Sequence, residues 1–505
     1  MDGVAMMLPE RFAHTVRTVE DAPAIITPTQ TYSFAALHHR ATQTAAALAE
    51  QGIGPGHRVA IRMTRGFDFL ACMVGVMLSG AAYTPLDAHL PTPYIATILT
   101  QLSPDLTVIE PGIPAIGNGP TCLFDDLASD RPFQAIPPQK DAPAYIIFTS
   151  GSTGIPKGVV ISHGALSHFT DWCLTEFRPY ARKPLLNVAN FSFDQSVLDI
   201  VMLLAAGSPM VCLPGAPTIM DIVGAMNRHA VAFVSTVPST FSILLSAGAI
   251  LRRFPLDHLE CVVLGGAAFP ESTRHQLFDW KPSLDVYNLY GPTEATVYCL
   301  FQKVTVETRS PHPTVALGVP FPEMHAHLID RDDSLLTNAP ADGELVLEGP
   351  QLMTEYHGSP QATQTATTVT TPELRNRRVY RTGDMVHRDA HGTLFFAGRG
   401  DDTVKTRGYR VSLLSLEHAA HAVPGVLEAS AIAIPDPAVE NRLVLCVTMI
   451  PKTDISTHTI SEHLKNALPS YMLPKDILTF DALPKNTSGK IDKKRLIRHA
   501  MKDTQ

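Results

Sequence analysis

The sequence predicts an α/β protein of at least two domains, the last of which is a small α+β domain. Three observations lead to this prediction. Short apolar runs rich in Val, Ile and Leu alternate with longer helical patterns, which is typical of buried strands connected by helices. The chain has 505 residues, whereas a single hydrophobic core stops growing at roughly 250–300 residues. Near residue 400 the sequence becomes polar and rich in Gly and Arg, which is typical of a domain boundary.

The individual elements follow from local patterns. The segment 34-FAALHHRATQTAAALAEQG-52 has helical periodicity and ends at a glycine, as helices commonly do. The stretch 69–86 carries no charge, but two glycines and a proline interrupt it, so we expect a buried helix and a strand rather than a membrane span. The predicted strands are 58-RVAI-61, 144-AYIIF-148, 231-VAFV-234, 261-CVVL-264 and 345-LVL-347.

Composition and charge exclude several classes of protein. The net charge is −8 and no Lys/Arg block is present, so we expect neither nucleic acid nor a membrane as a partner. The seven cysteines contain no pair at CxxC spacing, which argues against a zinc ribbon or a disulfide framework. The N-terminus has no basic region leading into an apolar core, so it does not resemble a secretion signal. These features predict a cytoplasmic protein.

The strongest local motif is 149-TSGSTGIPKG-158, which lies between two apolar runs. Its glycines allow close approach of the backbone to a ligand, its hydroxyls add donors, and Lys157 adds positive charge. This composition suits a polyphosphate. The order of residues differs from that of a Walker A loop, so the phosphates must be held in another way.

Two further clusters suit a nucleotide. In 288-NLYGPTE-294, Tyr290 can stack on a purine, Thr293 can donate to a phosphate, and Glu294 can ligate Mg²⁺ through oxygen. In 380-YRTGDM-385, Asp384 follows a glycine turn and can accept both hydroxyls of a ribose. Each cluster alone would be an ordinary turn.

Together and in this order, these segments resemble the adenylation-domain family of the adenylate-forming superfamily. That family includes the amino-acid-activating domains of nonribosomal peptide synthetases, D-alanine–carrier protein ligases, acyl-CoA synthetases and firefly luciferase. The resemblance covers almost the whole chain. The other matching segments are 77-MLSGAAYTPLD-87, 191-FSFDQS-196, 343-GELVLEGP-350, 398-GRGDDTVKTRGYR-410, 468-LPSYMLP-474 and 487-TSGKIDK-493.

The resemblance implies a large N-terminal adenylation domain over residues 1–398, a hinge over 399–402 and a small mobile C-terminal lid over 403–505. The implied hinge residue is Asp401, and the implied catalytic lysine of the first step is Lys490, assisted by Thr293 and Glu294. Glu294 would hold Mg²⁺, and the cofactors would be ATP and Mg²⁺.

The resemblance also implies two sets of binding residues. The implied ATP-binding residues are Thr149, Ser150, Gly151, Ser152, Thr153, Gly154, Lys157, Gly265, Gly266, Ala267, Asn288, Leu289, Tyr290, Gly291, Asp384, Phe396 and Arg399. The implied substrate-binding residues are Phe193, Asp194, Gln195, Leu198, Thr236, Val263, Gly265, Leu289, Val297 and Tyr298.

Asp194 decides between classes of carboxylic acid. In the amino-acid-activating branch of the family, this aspartate pairs with the substrate ammonium. A buried carboxylate is costly without such a partner, so an α-amino acid is favoured over an acid that has no amine. The alternative is that Asp194 caps the helix predicted over 195–204. The other implied pocket positions add no second charge, so we expect a small or medium neutral amino acid, with D-alanine and proline both open.

The predicted second step is transfer of the acyl group to a thiol. The sequence ends soon after the lysine motif and shows no serine-bearing carrier motif, so we expect the phosphopantetheine thiol of a separate carrier protein, or coenzyme A. One segment departs from the family: where it has ELGEIE, this chain has 412-SLLSLE-417. This departure motivates one alternative, a catalytically decayed nucleotide-binding scaffold. A separate alternative among enzymes is an acyl- or aryl-CoA ligase, which would use acids without an amine. The pairs His325/His327 and His418/His421 lack a third ligand nearby, and we expect no metal there.

Overall fold

The computed structural model describes residues 6–150, 155–215, 217–246, 248–399, 403–436, 438–450, 455–485 and 491–502. The chain forms two compact units. Unit 1 comprises Met1–His89, Leu99–Phe148 and Gly158–Gly398, and unit 2 comprises Leu90–Ile98, Thr149–Lys157 and Arg399–Gln505. The last segment of unit 2 thus begins at the position where the sequence changes in composition.

The α-helices of the described residues are α1 Leu8–Val19, α2 Phe34–Glu50, α3 Phe67–Leu78, α4 Thr92–Leu102, α5 His163–Glu176, α6 Ser196–Leu204, α7 Ile219–Arg228, α8 Pro238–Ser246, α9 Gly248–Arg253, α10 Glu271–Trp280, α11 Pro360–Thr367, α12 Leu413–His421, α13 Thr457–Ala467 and α14 Lys493–Lys502. A 3₁₀ turn at Thr293–Ala295 is relevant to the site described below.

The strands of the described residues are β1 Pro23–Ile26, β2 Thr31–Ser33, β3 Arg58–Met63, β4 Ala82–Asp87, β5 Leu106–Ile109, β6 Thr121–Leu123, β7 Pro143–Thr149, β8 Lys157–Ser162, β9 Leu185–Asn187, β10 Met210–Cys212, β11 Phe233–Thr236, β12 Cys261–Gly265, β13 Asp285–Tyr290, β14 Leu300–Val304, β15 Val319–Pro320, β16 His325–Ile329, β17 Ala341–Glu348, β18 Glu355–Tyr356, β19 Val379–Arg388, β20 Leu394–Arg399, β21 Thr403–Thr406, β22 Tyr409–Ser412, β23 Val426–Asp436, β24 Glu440–Met449 and β25 Asp476–Thr479.

Unit 1 is built on three sheets of the described strands. The first has nine strands in the order β15-β14-β13-β12-β11-β9-β10-β1-β2, and its central pairs are parallel. The second has seven strands in the order β18-β8-β7-β4-β3-β5-β6, and the third has four in the order β16-β17-β19-β20. Buried aliphatic strands with connecting helices are the predicted α/β architecture, and this prediction is confirmed.

Local signals explain where the elements begin and end. The Ser33 hydroxyl accepts a hydrogen bond from the Ala36 amide at 3.1 Å and caps α2, and Gly52 takes a positive φ of 77° just beyond the end of α2. The uncharged stretch 69–86 forms most of α3 and β4, as predicted. The strand predicted at 231–234 is shifted, because the left-handed turn at Ala230 (φ 50°) delays β11 until Phe233.

Unit 2 contains the β21–β22 hairpin and the three-stranded sheet β23-β24-β25. The departure 412-SLLSLE-417 forms the start of α12: Ser412 caps the helix, and Leu413 and Leu416 enter the core of the unit. Glu417, the glutamate that the segment keeps, accepts from the Ala431 amide at 2.8 Å and pairs with Lys493 at 3.3 Å. This segment therefore anchors α12 to β23 and α14.

Among the described residues, no helix combines the length and the apolar character needed to cross a membrane.

A carboxyl group is buried at the centre of unit 1. Asp199 on α6 is fully buried, and its Oδ2 accepts from Asn187 Nδ2 at 2.8 Å, while its Oδ1 has no hydrogen-bond partner among the described residues. Arg65 lies close by and donates to the Val188 carbonyl oxygen at 2.7 Å. Burial raises the pKa of Asp199 to about 8, although Asn187 and Arg65 lower it. This side chain is therefore protonated at neutral pH.

We expect Asp199→Asn to flatten the dependence of stability on pH. A carboxyl group whose pKa is about 8 when folded and 3.8 when unfolded takes up a proton on folding, so its stabilisation is complete below about pH 4 and is lost as the pH rises toward 8. Between pH 5 and 8, the wild-type chain should lose on the order of 2–4 kcal/mol more than the variant. Urea denaturation at the two pH values measures this difference. The exposed Asp257→Asn should behave like the wild type, and parallel pH profiles for Asp199→Asn and the wild type would refute the assignment.

Candidate active site

The end of β13 brings two sequence-predicted residues together. Tyr290 is the last residue of β13, and its hydroxyl donates to Asp384 Oδ2 on β19 at 2.6 Å. Burial and the Asp384 carboxylate raise the pKa of Tyr290, so the tyrosine remains a donor. The Asp384 amide in turn donates to the Thr382 hydroxyl at 3.0 Å. The carboxylate predicted to hold a ribose is therefore fixed by the aromatic residue predicted to contact the base.

Glu294 lies four residues further on, in the 3₁₀ turn after β13. It is 1% exposed, and its Oε1 accepts from the Tyr356 hydroxyl at 2.6 Å. Its backbone carbonyl oxygen accepts from the Met353 amide at 2.7 Å. No cluster of three or more potential protein ligands for a metal occurs in the described part of the chain. A single fixed carboxylate nevertheless suits Mg²⁺, which is commonly held by one or two carboxylates together with water and substrate phosphates.

The backbone directly after this turn is strained. Thr296 and Val297 both have positive φ, 56° and 69°, a conformation that is unfavourable for any residue with a Cβ and most of all for a β-branched one. Gln351, which is fully buried, holds the segment in place. Its Nε2 donates to the carbonyl oxygens of Ala295 at 3.2 Å and Tyr298 at 2.7 Å.

Two more contacts hold the segment from Ala295 to Tyr298 in place, and we call Gln351 with its contacts to this segment the clamp. The Thr296 hydroxyl donates to the Gln351 carbonyl oxygen at 2.6 Å. His168 Nδ1 on α5 lies 3.0 Å from Gln351 Oε1 and donates to it when the proton is on Nδ1. Gln351 thereby fixes the short segment that runs from Glu294, the predicted metal ligand, to Tyr298, a predicted pocket residue.

Most of the predicted amino-acid pocket lies in the core of unit 1. The side chains of Leu198, Val263, Leu289, Val297 and Tyr298 are all buried in one apolar cluster. Gly265 lies directly against the Tyr298 ring, because a Cβ at Gly265 would be 2.5 Å from Tyr298 Cε1 and 2.6 Å from its hydroxyl oxygen. A glycine is therefore required at this position for Tyr298 to keep its place.

Asp194 lies just before α6 and is close to two tyrosines. Helix α6 begins at Ser196, with Gln195 as its N-cap residue and Asp194 directly before that residue. Burial and the Asp194 carboxylate raise the pKa of Tyr298. Burial, Tyr83 and Asp194 raise the pKa of Tyr145. Phe193 precedes Asp194, and its carbonyl oxygen accepts from the Ser196 amide and hydroxyl at the start of α6.

Two neighbouring hydroxyl residues of β11 lie on opposite faces of the sheet, because side chains alternate along a strand. Ser235 pairs with Val263 in the parallel register of β11 and β12, so both lie on the same face of the sheet. Thr236 lies on the other face, and its hydroxyl is 3.0 Å from that of Thr240. The structure thus places Ser235, which the sequence did not indicate, on the face that carries Val263 and Gly265.

The structure also shows the surroundings of other residues that are predicted to bind the nucleotide. Asn288 Nδ2 donates to the Ala316 carbonyl oxygen at 2.7 Å, which fixes the loop beside β13. Gly291 packs against the Tyr298 backbone, since a Cβ there would lie 2.5 Å from the Tyr298 Cα. Gly266 follows β12 with a φ of 77°, and Ala267 comes next along the chain. Phe396 and Arg399 lie on β20.

The structure describes the two ends of the segment that is predicted to hold phosphates. Thr149 ends β7, and the buried Ser150 donates its hydroxyl proton to the Arg410 carbonyl oxygen within unit 2. Lys157 begins β8. The predicted residues Gly151, Ser152, Thr153 and Gly154 lie outside the described residues, as do the predicted hinge residue Asp401 and the predicted catalytic Lys490.

This arrangement of carboxylates and predicted nucleotide-binding residues can be compared with known proteins. Residues 12–357 match the family described as AMP-binding enzyme, and residues 415–490 match the AMP-binding enzyme C-terminal domain. The chain belongs to the AMP-binding enzyme family. This AMP-binding enzyme is therefore an adenylate-forming enzyme related to nonribosomal peptide synthetase adenylation domains, as the sequence predicted.

Among curated relatives of the AMP-binding enzyme, tyrocidine synthase 3 of Brevibacillus parabrevis is 29% identical over 98% of this chain and 8% of its own length. The chain spans about a tenth or less of the length of this and similar peptide synthases. Novobiocin biosynthesis protein H of Streptomyces niveus is 30% identical over 96% of this chain and 81% of that protein.

Solved structures share the fold. A nonribosomal peptide synthetase protein containing adenylation and PCP domains, bound to a vinylsulfonamide inhibitor, has a TM-score of 0.83 at 25% identity and covers 98% of this chain and 84% of its own. An o-succinylbenzoate CoA synthetase from Bacillus subtilis has a TM-score of 0.82 at 20% identity, with 96% and 98% covered. The predicted fold class, mixed α/β with a large N-terminal and a small C-terminal domain, is therefore confirmed.

We expect Gln351→Met to impair adenylation without unfolding the chain. The variant keeps the length of the side chain but removes the amide donors that hold the left-handed Thr296–Val297 segment. Release of this segment would displace both Glu294 and Tyr298, and kcat/KM for ATP–pyrophosphate exchange should fall on the order of 100-fold.

The control for this variant is Gln361→Met on the exposed surface of α11, which should retain full activity. Thermal denaturation distinguishes local displacement from global unfolding, since the Gln351 variant should still unfold cooperatively. A Gln351→Met enzyme with unchanged kcat and KM would refute the role of this clamp.

Proposed function

We propose that this AMP-binding enzyme activates a small or medium neutral α-amino acid with ATP, forming aminoacyl-AMP and pyrophosphate. The phosphopantetheine thiol of a separate carrier protein then attacks the acyl carbon, which forms a thioester and releases AMP. The observation that carries the proposal is Asp194, a half-buried carboxylate just before α6 whose charge acts on the buried Tyr145 and Tyr298. A carboxylate in such surroundings is stabilised by a cationic partner, and a substrate ammonium is one.

The other groups of the pocket favour a substrate with a neutral side chain. The predicted pocket residues in the buried cluster are uncharged, and so is Ser235 on the face of Val263 and Gly265. The next carboxyl group along α6, Asp199, has a pKa of about 8 and adds no charge at neutral pH. A charged substrate side chain would therefore lack a partner in this cluster.

Different residues of the chain would have different roles in the first step, the formation of aminoacyl-AMP. Asp384, fixed by Tyr290, would hold the nucleotide sugar, and the residues from Thr149 to Lys157 would hold the phosphates. Glu294, fixed by Tyr356, would hold Mg²⁺, which neutralises phosphate charge when bound. Asp194 would orient the amino acid so that its carboxylate faces the α-phosphate. Thr293 and Lys490 would donate to the developing negative charge.

A carrier protein is the proposed acceptor of the acyl group. Adenylation domains of nonribosomal peptide synthetases are among the relatives of this chain, and one solved structure of similar fold contains adenylation and PCP domains. These similarities also support a role in the assembly of a peptide-derived product such as an antibiotic.

A CoA ligase is the second candidate, because an o-succinylbenzoate CoA synthetase shares the fold. Its substrate would need no amine, and Asp194 would then have no cationic partner in the substrate. The scaffold alternative rests on 412-SLLSLE-417, but this segment packs into unit 2 and keeps Glu417 in its contacts. No contact in this segment favours loss of catalysis.

The proposal predicts amino-acid-dependent ATP–pyrophosphate exchange that requires Asp194. Across a panel of L- and D-amino acids and simple carboxylic acids, exchange should occur with neutral amino acids, and Lys490→Ala should abolish most of it. Asp194→Asn, which removes the charge but keeps the shape, should reduce kcat/KM for the amino acid about 100-fold or more.

Asp257→Asn is the control, because this residue is exposed and lies outside the site. Exchange with amine-free acids that is indifferent to Asp194→Asn would instead establish the CoA-ligase candidate. Binding of ATP with no exchange for any acid would establish the scaffold alternative.

A further inference from the structure

The loop that carries Asp194 is held at its start by a buried arginine. This loop covers residues 188–195, between β9 and α6. Arg65, which follows β3, is 5% exposed. Its Nη1 donates to the carbonyl oxygens of Val188 at 2.7 Å and Ala189 at 3.3 Å. One side chain thus binds two consecutive peptide groups where the loop begins.

Arg65 also joins this loop to neighbouring strands. Its Nη1 donates to Asn187 Oδ1 at 3.4 Å, and its Nη2 donates to the Gly215 carbonyl oxygen at 3.2 Å. Gly215 follows β10, the parallel neighbour of β9, whereas Arg65 follows β3 in the seven-stranded sheet. Ligands of α/β proteins bind outside the carboxyl ends of parallel strands. Arg65 therefore connects the carboxyl ends of strands from two sheets, at the edge where a ligand is expected.

All of these hydrogen bonds of Arg65 end on neutral oxygens, although the side chain is a buried cation. Burying a charge costs free energy, which neutral acceptors offset only in part. A guanidinium nevertheless offers several N–H donors in a rigid planar fork, which an ammonium group cannot reproduce. We therefore look for the contribution of Arg65 in the loop conformation that its hydrogen bonds impose rather than in charge pairing.

Further contacts hold the loop between its start and Asp194. Asn190 Nδ2 donates to Asp87 Oδ2, at the end of β4, at 2.7 Å. The Phe193 amide donates to the Asn190 carbonyl oxygen at 2.9 Å, and the Asp194 carbonyl oxygen accepts from the Val197 amide in α6 at 2.8 Å. The loop is thus fixed at its start, in its middle and at the end that carries Asp194.

We propose that Arg65 is a positioning residue for recognition of the amino acid, because it holds the loop that places the Asp194 carboxylate against the substrate ammonium. This inference rests on the proposed function, in which Asp194 binds the ammonium. The partners of Arg65 in the described part of the chain lie outside the predicted ATP-binding set. Release of the loop therefore weakens binding of the amino acid and leaves binding of ATP unchanged.

Arg65→Lys tests this role, because it keeps the charge and removes the planar fork. The assay is ATP–pyrophosphate exchange with the amino acid that the wild type uses best. KM for the amino acid should rise about 10-fold, whereas kcat and KM for ATP should change less than about 2-fold. Arg40→Lys is the matched control. Arg40 also donates to two backbone carbonyl oxygens, those of Phe124 and Leu127, and its variant should keep the wild-type KM for the amino acid.

A double-mutant cycle determines whether Arg65 acts through Asp194. In the Asp194→Asn background the charged partner of the ammonium is already absent, so Arg65→Lys should change kcat/KM for the amino acid less than about 2-fold. Residues that act independently would give the same factor in both backgrounds. Asn190→Ala, which removes the hydrogen bond to Asp87, should show the same dependence on Asp194. It provides the test if thermal denaturation shows that Arg65→Lys does not fold.

The outcomes separate this inference from the proposed function. An equal rise in KM for ATP, or the same factor with and without the Asp194 carboxylate, overturns the inference, because Arg65 would then support the whole site. Unchanged constants in Arg65→Lys overturn it as well. In each of these cases, exchange by the wild type with an amino acid leaves the proposed function standing. No exchange by the wild type with any amino acid overturns both the inference and the proposed function.

Discussion

The site depends on a backbone conformation that the chain would not adopt unaided. Thr296 and Val297 both lie in the left-handed region, and a β-branched residue such as Val297 is especially unfavourable there. The Gln351 amide, supported by His168, holds this segment through the carbonyl oxygens of Ala295 and Tyr298. Because Glu294 lies on one side of the segment and Tyr298 on the other, one buried side chain sets the positions of both the predicted metal ligand and the predicted pocket wall. Strain that is stabilised from outside the segment is typical of functional sites.

Four carboxyl groups of unit 1 have different proposed roles because they have different neighbours. Asp384 and Glu294 each accept a short hydrogen bond from a tyrosine, Tyr290 and Tyr356 respectively. Asp199 is fully buried with a single amide donor, and burial raises its pKa to about 8. Asp194 is only partly buried, and together with burial its carboxylate raises the pKa of Tyr298. The proposed roles in nucleotide positioning, metal binding and recognition of the amine, and the neutral packing of Asp199, thus differ through burial and local donors rather than through residue type.

The architecture was predictable from the sequence because its signals are local. The apolar runs at 58–61 and 261–264 correspond to β3 and β12, and the helix that ends near Gly52 is α2. The change of composition near residue 400 falls where the last segment of unit 2 begins. The pairing of Tyr290 with Asp384 joins two motifs that the sequence had singled out separately.

The remaining features of the site depend on tertiary contacts that no local pattern indicates. Gln351 lies in an ordinary turn-like stretch, and its role arises only from the carbonyl oxygens that the fold brings to it. The difference between Ser235 and Thr236 depends on the register of β11 with β12, and a one-residue difference places the two hydroxyls on opposite faces. Tyr356 is the partner of Glu294 across 62 positions of sequence, so spacing gave no sign of it. The sequence indicated which motifs are candidates for the active site, whereas the structure indicates which side chains hold these motifs in place.

The central claim is that a substrate amine is bound at Asp194 while the carboxylate is adenylated. The most direct measurement compares the amino acid that best supports ATP–pyrophosphate exchange with the 2-hydroxy acid of the same side chain, in the presence of ATP, Mg²⁺ and hydroxylamine. The products are the hydroxamate and either AMP or ADP, separated by chromatography and identified by mass. The account predicts the aminoacyl hydroxamate with an equal amount of AMP, and little product from the 2-hydroxy acid. Equal yields from the two acids, or formation of ADP in place of AMP, would contradict it.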